Sequence, residues 1–104
     1  MPESPAPTPK PGGNRADDRW HPVDALLMRV GQGNLRALGQ LYDTTAAKIF
    51  ALANALLRDA RRAEQVTQLV FCEIWRRARS FDPSRQSGIS WMVALTHSQV
   101  TARR

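Results

Sequence analysis

A single cysteine, Cys72, and two histidines are all that this 104-residue chain offers of the usual metal and redox chemistry. One thiol closes no intramolecular disulfide. Its setting in the apolar helical run Val70-Phe71-Cys72-Glu73-Ile74 predicts a packed, reduced side chain. His21 lies in a proline-rich stretch and His97 stands alone on a helix. Neither has Cys, Asp or Glu at metal-ligand spacing, so no metal and no cofactor is expected. Ser90 and Ser98 near His97 lack the partners of a triad. Gly31-Gln32-Gly33 is followed by no Lys-Ser/Thr pair and reads as a helix stop rather than a phosphate cradle. An enzyme is therefore not expected. No apolar run approaches the ~20 residues that span a bilayer, and the N-terminus has no apolar signal core, so the reading is a cytoplasmic chain without membrane insertion. The alternation of a β-strand and any internal repeat are also missing.

Proline is scarce beyond the start of the chain. Six of the seven prolines (Pro2, Pro5, Pro7, Pro9, Pro11 and Pro22) fall within the first 22 residues, together with Gly12 and Gly13. Such a run neither sustains a helix nor buries apolar area, which predicts a disordered tail over 1–22 and a folded domain over 23–104. The net charge of +6 belongs to the domain. In the tail, Lys10, Arg15 and Arg19 are balanced by Glu3, Asp17 and Asp18. A basic domain favours polyanionic partners or acidic protein surfaces.

What remains is helical. Leu26, Leu27 and Val30 stripe a short first helix over Val23–Gln32, ended by the two glycines. Asn34 can cap a long second helix over about Leu35–Leu57, with Leu38, Leu41, Tyr42, Ile49, Phe50, Ala53, Leu56 and Leu57 at three- and four-residue steps. Asp59 can cap a third, reaching to near Arg79, with Val66, Leu69, Val70, Ile74 and Ala78 along one side. Its last turn holds Arg76, Arg77 and Arg79, which suits the negative end of the helix dipole. Pro83 and Gly88 bracket a loop, and a fourth helix runs from about Ser87 through Trp91, Met92, Leu95 and Val100. The fold class is all-α, a compact bundle of about four helices.

Two surfaces carry candidate contacts. On the third helix, Glu64, Gln65 and Gln68 form either a solvated face or hydrogen-bonding groups for a partner helix. In the loop, Ser84, Arg85, Gln86 and Ser87 offer small donors and one cation, a set suited to a flipped base or a phosphate. Trp91 either buttresses that pocket from the core or stacks on a base.

The ordered series of motifs resembles region 2 of the extracytoplasmic-function (ECF) sigma factors of the sigma-70 superfamily. It runs through Leu38-Gly39-Gln40-Leu41-Tyr42-Asp43, Ile49-Phe50-Ala51-Leu52-Ala53 and Leu56-Leu57-Arg58-Asp59. Ala63-Glu64-Gln65-Val66-Thr67-Gln68-Leu69-Val70-Phe71 then leads into Glu73-Ile74-Trp75-Arg76-Arg77-Ala78, and Phe81-Asp82-Pro83-Ser84-Arg85 and Trp91-Met92 follow. The resemblance implies a transcription initiation domain. Its third helix, through Glu64, Gln65, Gln68, Glu73, Arg76 and Arg77, would bind the clamp helices of the RNA polymerase β′ subunit. The loop Asp82–Ser90, with Ser84, Arg85, Gln86 and Ser87, would hold a base extruded from the non-template strand of the promoter −10 element. Ser90, Trp91, His97, Gln99, Arg103 and Arg104 would lie along that element. An anti-sigma factor is a further possible partner.

The chain also departs from the pattern. Acidic residues common near the positions of Gln65 and Leu69 are missing, which implies weaker clamp affinity. Ser98, Gln99, Thr101 and Ala102 stand where the last helix of relatives carries several basic residues and an Asp-Arg pair, which implies fewer phosphate contacts. Region 4, the helix-turn-helix that reads the −35 element, is expected to be absent from these residues. A second reading follows: a degenerate sigma-like module that binds polymerase or an anti-sigma factor without opening promoters. A third is a helical remnant with neither activity.

Overall fold

The computed structural model describes residues 22–103. The proline-rich stretch read as a tail lies, up to His21, outside the described residues, as does Arg104. Four helices follow in order: α1 (Pro22–Gly31), α2 (Leu35–Leu57), α3 (Ala60–Arg77), which passes into a single 3₁₀ turn (Ala78–Ser80), and α4 (Gly88–Arg103). The described chain is an all-α bundle of four helices, as its periodicity implies.

Local chemistry sets the boundaries. The first helix begins and ends one residue earlier than its apolar stripe suggests, because Pro22 occupies the first helical position, where a missing N–H is no loss. The turn after Gly31 closes at Gly33, whose positive φ of 88° accompanies hydrogen bonds from Gly33 N–H to the Val30 carbonyl at 2.9 Å and from Asn34 N–H to that of Arg29 at 3.1 Å. Asn34 then caps α2, its side-chain oxygen accepting from Ala37 N–H at 3.0 Å. Arg58 takes the left-handed conformation at the end of α2 (φ 57°), and Asp59 caps α3 by accepting from Arg62 N–H at 3.1 Å. With only these two residues between them, α2 and α3 fold back on one another as an antiparallel hairpin. The first helix crosses one end of the hairpin and touches the 3₁₀ turn, and α4 packs on both α2 and α3.

Each helix sends one large side chain to full burial: Leu27, Leu41, Ile74 and Met92. Three buried threonines join them without an unsatisfied hydroxyl. Thr45, Thr67 and Thr96 each donate to the carbonyl four residues earlier, at 2.7, 2.8 and 2.9 Å. Two sequence expectations are corrected. Cys72 is exposed rather than packed, because α3 turns that face away from the bundle. Tyr42, placed in the apolar stripe of α2, is 45% exposed, with only its ring edge resting against Phe71 (centroids 4.9 Å apart).

Candidate functional site

Gln65, Gln68, Cys72 and Arg76 recur at three- and four-residue steps, and all are exposed, so they form one outward ridge along α3. Glu64 flanks this ridge on the side of α2, where it lines a recess with Gln68, Tyr42 and Phe50. Glu73 and Arg77 stand apart from it. Glu73 is half-buried and binds Arg77 Nε at 2.7 Å and Arg76 Nη1 at 3.6 Å. They share their flank with Arg62, whose guanidinium donates to the Arg103 carbonyl at the end of α4. The six sequence-predicted residues thus spread around α3: Glu64, Gln68 and Arg76 line recesses between α2 and α3, Gln65 is exposed beside them, and Glu73 pairs with Arg77 and, at longer range, with Arg76.

Between α2 and α3 the outward ridge borders a groove that sequence reasoning missed. Leu35, Leu38, Tyr42, Gln68, Phe71, Cys72, Trp75 and Arg76 line an open, mainly apolar hollow of about 650 Å³. Leu35 is 66% exposed and Trp75 40%, although both are large apolar side chains on a small domain. A signal for it does exist. Leu35, Leu38 and Tyr42 follow one another at three- and four-residue steps on α2, beside the buried positions Ala37, Leu41 and Thr45.

The loop after the 3₁₀ turn is braced at both ends. Phe81 is buried at its start and packs on the half-buried Trp91, ring centroids 5.5 Å apart. Within it, Asp82 Oδ1 accepts from Ser84 N–H at 2.9 Å and from Ser84 Oγ at 2.7 Å, while Arg85 N–H donates to the Asp82 carbonyl at 3.0 Å. Ser87 caps α4, its Oγ accepting from Ser90 N–H at 3.1 Å and lying 3.0 Å from Ser90 Oγ. The serine hydroxyls read as donors for a base are therefore engaged in shaping the loop. Arg85 and Gln86 are the rest of that set, and both are exposed.

On α4, Ser90 and His97 share the exposed face with Ala94 and Thr101, whereas Gln99 is half-buried off that face. Arg103 is exposed, but thirteen residues of helix place it about 20 Å from Ser90 along the axis. From Gly88 to Ala102 this helix holds no Asp, Glu, Lys or Arg. No group of three or more His, Cys, Asp or Glu able to hold a metal ion occurs among the described residues. No described helix is long and apolar enough to cross a membrane.

Asp82, the first residue of the loop, organises it through Ser84, and its pKa reflects this. The Ser84 hydroxyl and then the Ser84 N–H favour its charged form and lower the value below the ordinary 3.8. A depressed folded-state value means the contribution to order is present above the unfolded value and is lost as pH falls through the folded one. The Ser84 and Arg85 amide resonances are expected to stay constant from neutral pH to the ordinary aspartate range and to shift only below it. A midpoint at or above the ordinary value in an NMR titration is the contrary result.

The family model described as Sigma-70 region 2 matches residues 41–103. Among curated proteins, the chain is similar to three proteins described as ECF RNA polymerase sigma factor SigK. That of Mycolicibacterium vanbaalenii is 38% identical over 81 residues, covering 78% of this chain and 41% of that protein. The Mycobacterium tuberculosis protein is 33% identical over 81 residues, covering 78% and 43%. The Mycobacterium ulcerans protein is 32% identical over 89 residues, covering 86% and 46%. The chain thus spans less than half the length of these relatives. No solved structure gives a significant match.

Proposed function

The chain belongs to the sigma-70 family as an ECF-type region 2 domain, and from that premise we propose that it docks on core RNA polymerase through the α2–α3 groove and engages promoter DNA through the loop and α4. The groove is the observation that carries this reading. Exposed Leu35, Tyr42 and Trp75, rimmed by Gln68 and Arg76, make an apolar centre with a polar border, the anatomy of a protein interface. Its length along two helices suits the clamp helices of the β′ subunit. Glu64 and Gln65 extend that border, and Glu73 with Arg77 reaches the edge of the same helix.

On the DNA side, Arg85 and Gln86 at the tip of a braced loop, with Trp91 behind it, suit a base extruded from the non-template strand of the −10 element. Extruding a base costs a few kcal/mol in unstacking, so a preformed loop that loses little entropy on contact is an advantage. Ser90 and His97 would follow the strand, with Arg103 and Arg104 at its far end. The domain does no bond chemistry in this reading; it acts in the cytoplasm, where the polymerase is, and an anti-sigma factor would compete for the same groove.

A second reading, a module that binds polymerase or an anti-sigma factor without opening promoters, draws support from one observation. The α4 surface from Gly88 to Ala102 lacks any cation to neutralise phosphates. Binding of the purified chain to core polymerase, repeated with a single-stranded promoter-like library at stated salt, separates the two. Enrichment of one −10 sequence on the polymerase complex supports the first reading. Polymerase binding without enrichment supports the second, and failure at both overturns each.

A further inference from the structure

Asp24 is an aspartate buried to 6% exposure on the third residue of α1, far in sequence from either candidate surface. Its Oδ1 accepts from Gly88 N–H at 2.6 Å, across 64 positions of chain. Gly88 is the first residue of α4, so this N–H belongs to the group at a helix start that has no partner within the helix. Ser87 satisfies the Ser90 N–H from within the loop, and Asp24 satisfies the Gly88 N–H from another helix. A carboxylate there also faces the positive end of the α4 dipole while standing in the first turn of its own helix.

The approach leaves little room for a side chain at residue 88. A Cβ on residue 88 would meet Asp24 Oδ1 at 2.7 Å, Leu27 Cδ1 at 2.8 Å and Val23 Cγ1 at 3.0 Å. Buried Phe81 at one end and Gly88 at the other therefore hold the Asp82–Ser87 loop between two fixed posts. At the second, the Asp24–Gly88 hydrogen bond ties the start of α4 to α1.

We propose that Asp24 is a positioning residue for DNA recognition: by pinning Gly88 to α1 it fixes where the loop presents Arg85 and Gln86 to an extruded base. The pin is a claim about the loop alone, whereas its consequence for DNA rests on the −10 reading above. The carboxylate touches no DNA itself. Side-chain changes at Asp24 act through the end of the loop and leave the α2–α3 groove untouched.

The test compares Asp24→Ala and Asp24→Asn with the wild-type full chain, and reads amide hydrogen exchange, selection of single-stranded DNA and affinity for core polymerase. Losing a hydrogen bond to a charged acceptor should speed exchange at Gly88 and at Arg85–Ser87 by roughly ten- to a hundredfold in Asp24→Ala. Discrimination between the selected −10 strand and a scrambled one should fall about tenfold, with polymerase affinity changed by less than about twofold. Asp24→Asn keeps a carbonyl oxygen in place and should restore most of both. Unchanged exchange in Asp24→Ala overturns the proposal, and so does equal loss of DNA selection and polymerase binding, which marks a general loss of stability. If Asp24→Ala does not fold, Asp24→Asn decides: a protected Gly88 amide supports the pin, and fast exchange in a folded protein overturns it. A wild-type chain that selects no DNA sequence removes the −10 reading, while exchange at Gly88 still decides the pin.

Discussion

Ile74→Ala is expected to lower the unfolding free energy by about 2–5 kcal/mol, the usual range for truncating a large buried aliphatic side chain. Ile74 is wholly inaccessible to solvent and sits on the face of α3 that meets the other helices. Its removal leaves an enclosed void, because Val70 and Ala78, one turn away on either side, are themselves buried. A domain of about 80 ordered residues has some 4–12 kcal/mol of stability in all, so this one change would consume a large share of it. Urea denaturation followed by helical circular dichroism measures the effect as a fall in midpoint at constant slope. A loss below about 1 kcal/mol would mean that α3 is not rooted in the bundle through this side chain.

What the sequence disclosed and what it concealed divide along the range of the interactions. Asn34 and Asp59 were legible as caps because each bonds an N–H only three residues ahead. The core face of α3 was legible from spacing, since Val66, Val70 and Ile74 repeat every four residues. The role of Asp24 was not, because its partner Gly88 is 64 residues away and nothing local marks either one. The buried threonines were hidden for a related reason. Thr45, Thr67 and Thr96 count as polar in any periodicity, yet each hydroxyl is satisfied by its own helix and so tolerates burial. Cys72 was misplaced because an apolar sequence context does not reveal which way a helix is rolled, and here its face borders the groove.

The candidate surfaces were partly legible in the same sense. Residue types in the loop suggested donors and a cation, but which hydroxyls are already engaged is a matter of turn geometry. Ser84 answers to Asp82 and Ser87 to Ser90, so the contribution of both serines is to hold a shape. The six residues assigned to polymerase binding came from family resemblance, and the fold occupies the Glu73 carboxylate with Arg77 and Arg76 of its own helix. The apolar part of that surface escaped altogether, because Leu35, Tyr42 and Trp75 look like core residues until the bundle leaves them uncovered.

Trp75→Ala, one residue from Ile74, is expected to have the opposite profile. A step of one residue turns the side chain by about 100° around the helix, which carries position 75 from the core into the groove. At 40% exposure Trp75 lies open to solvent, so its truncation leaves no enclosed cavity and should cost less stability than Ile74→Ala, about 1 kcal/mol. Affinity for core polymerase is another matter. Tryptophan at the centre of an apolar patch is the residue type that most often contributes 2 kcal/mol or more to an interface, so binding should weaken by about thirtyfold or more. Leu35→Ala, on the facing wall, should act in the same direction with a smaller loss, since leucine carries less contact area. Arg85→Ala lies outside the groove and should leave polymerase affinity unchanged while impairing DNA selection. Fluorescence anisotropy of labelled chain against core polymerase reads all three. Wild-type affinity in a folded Trp75→Ala protein would place the polymerase contact elsewhere on α3, along Glu73 and Arg77, and would leave the groove without that partner.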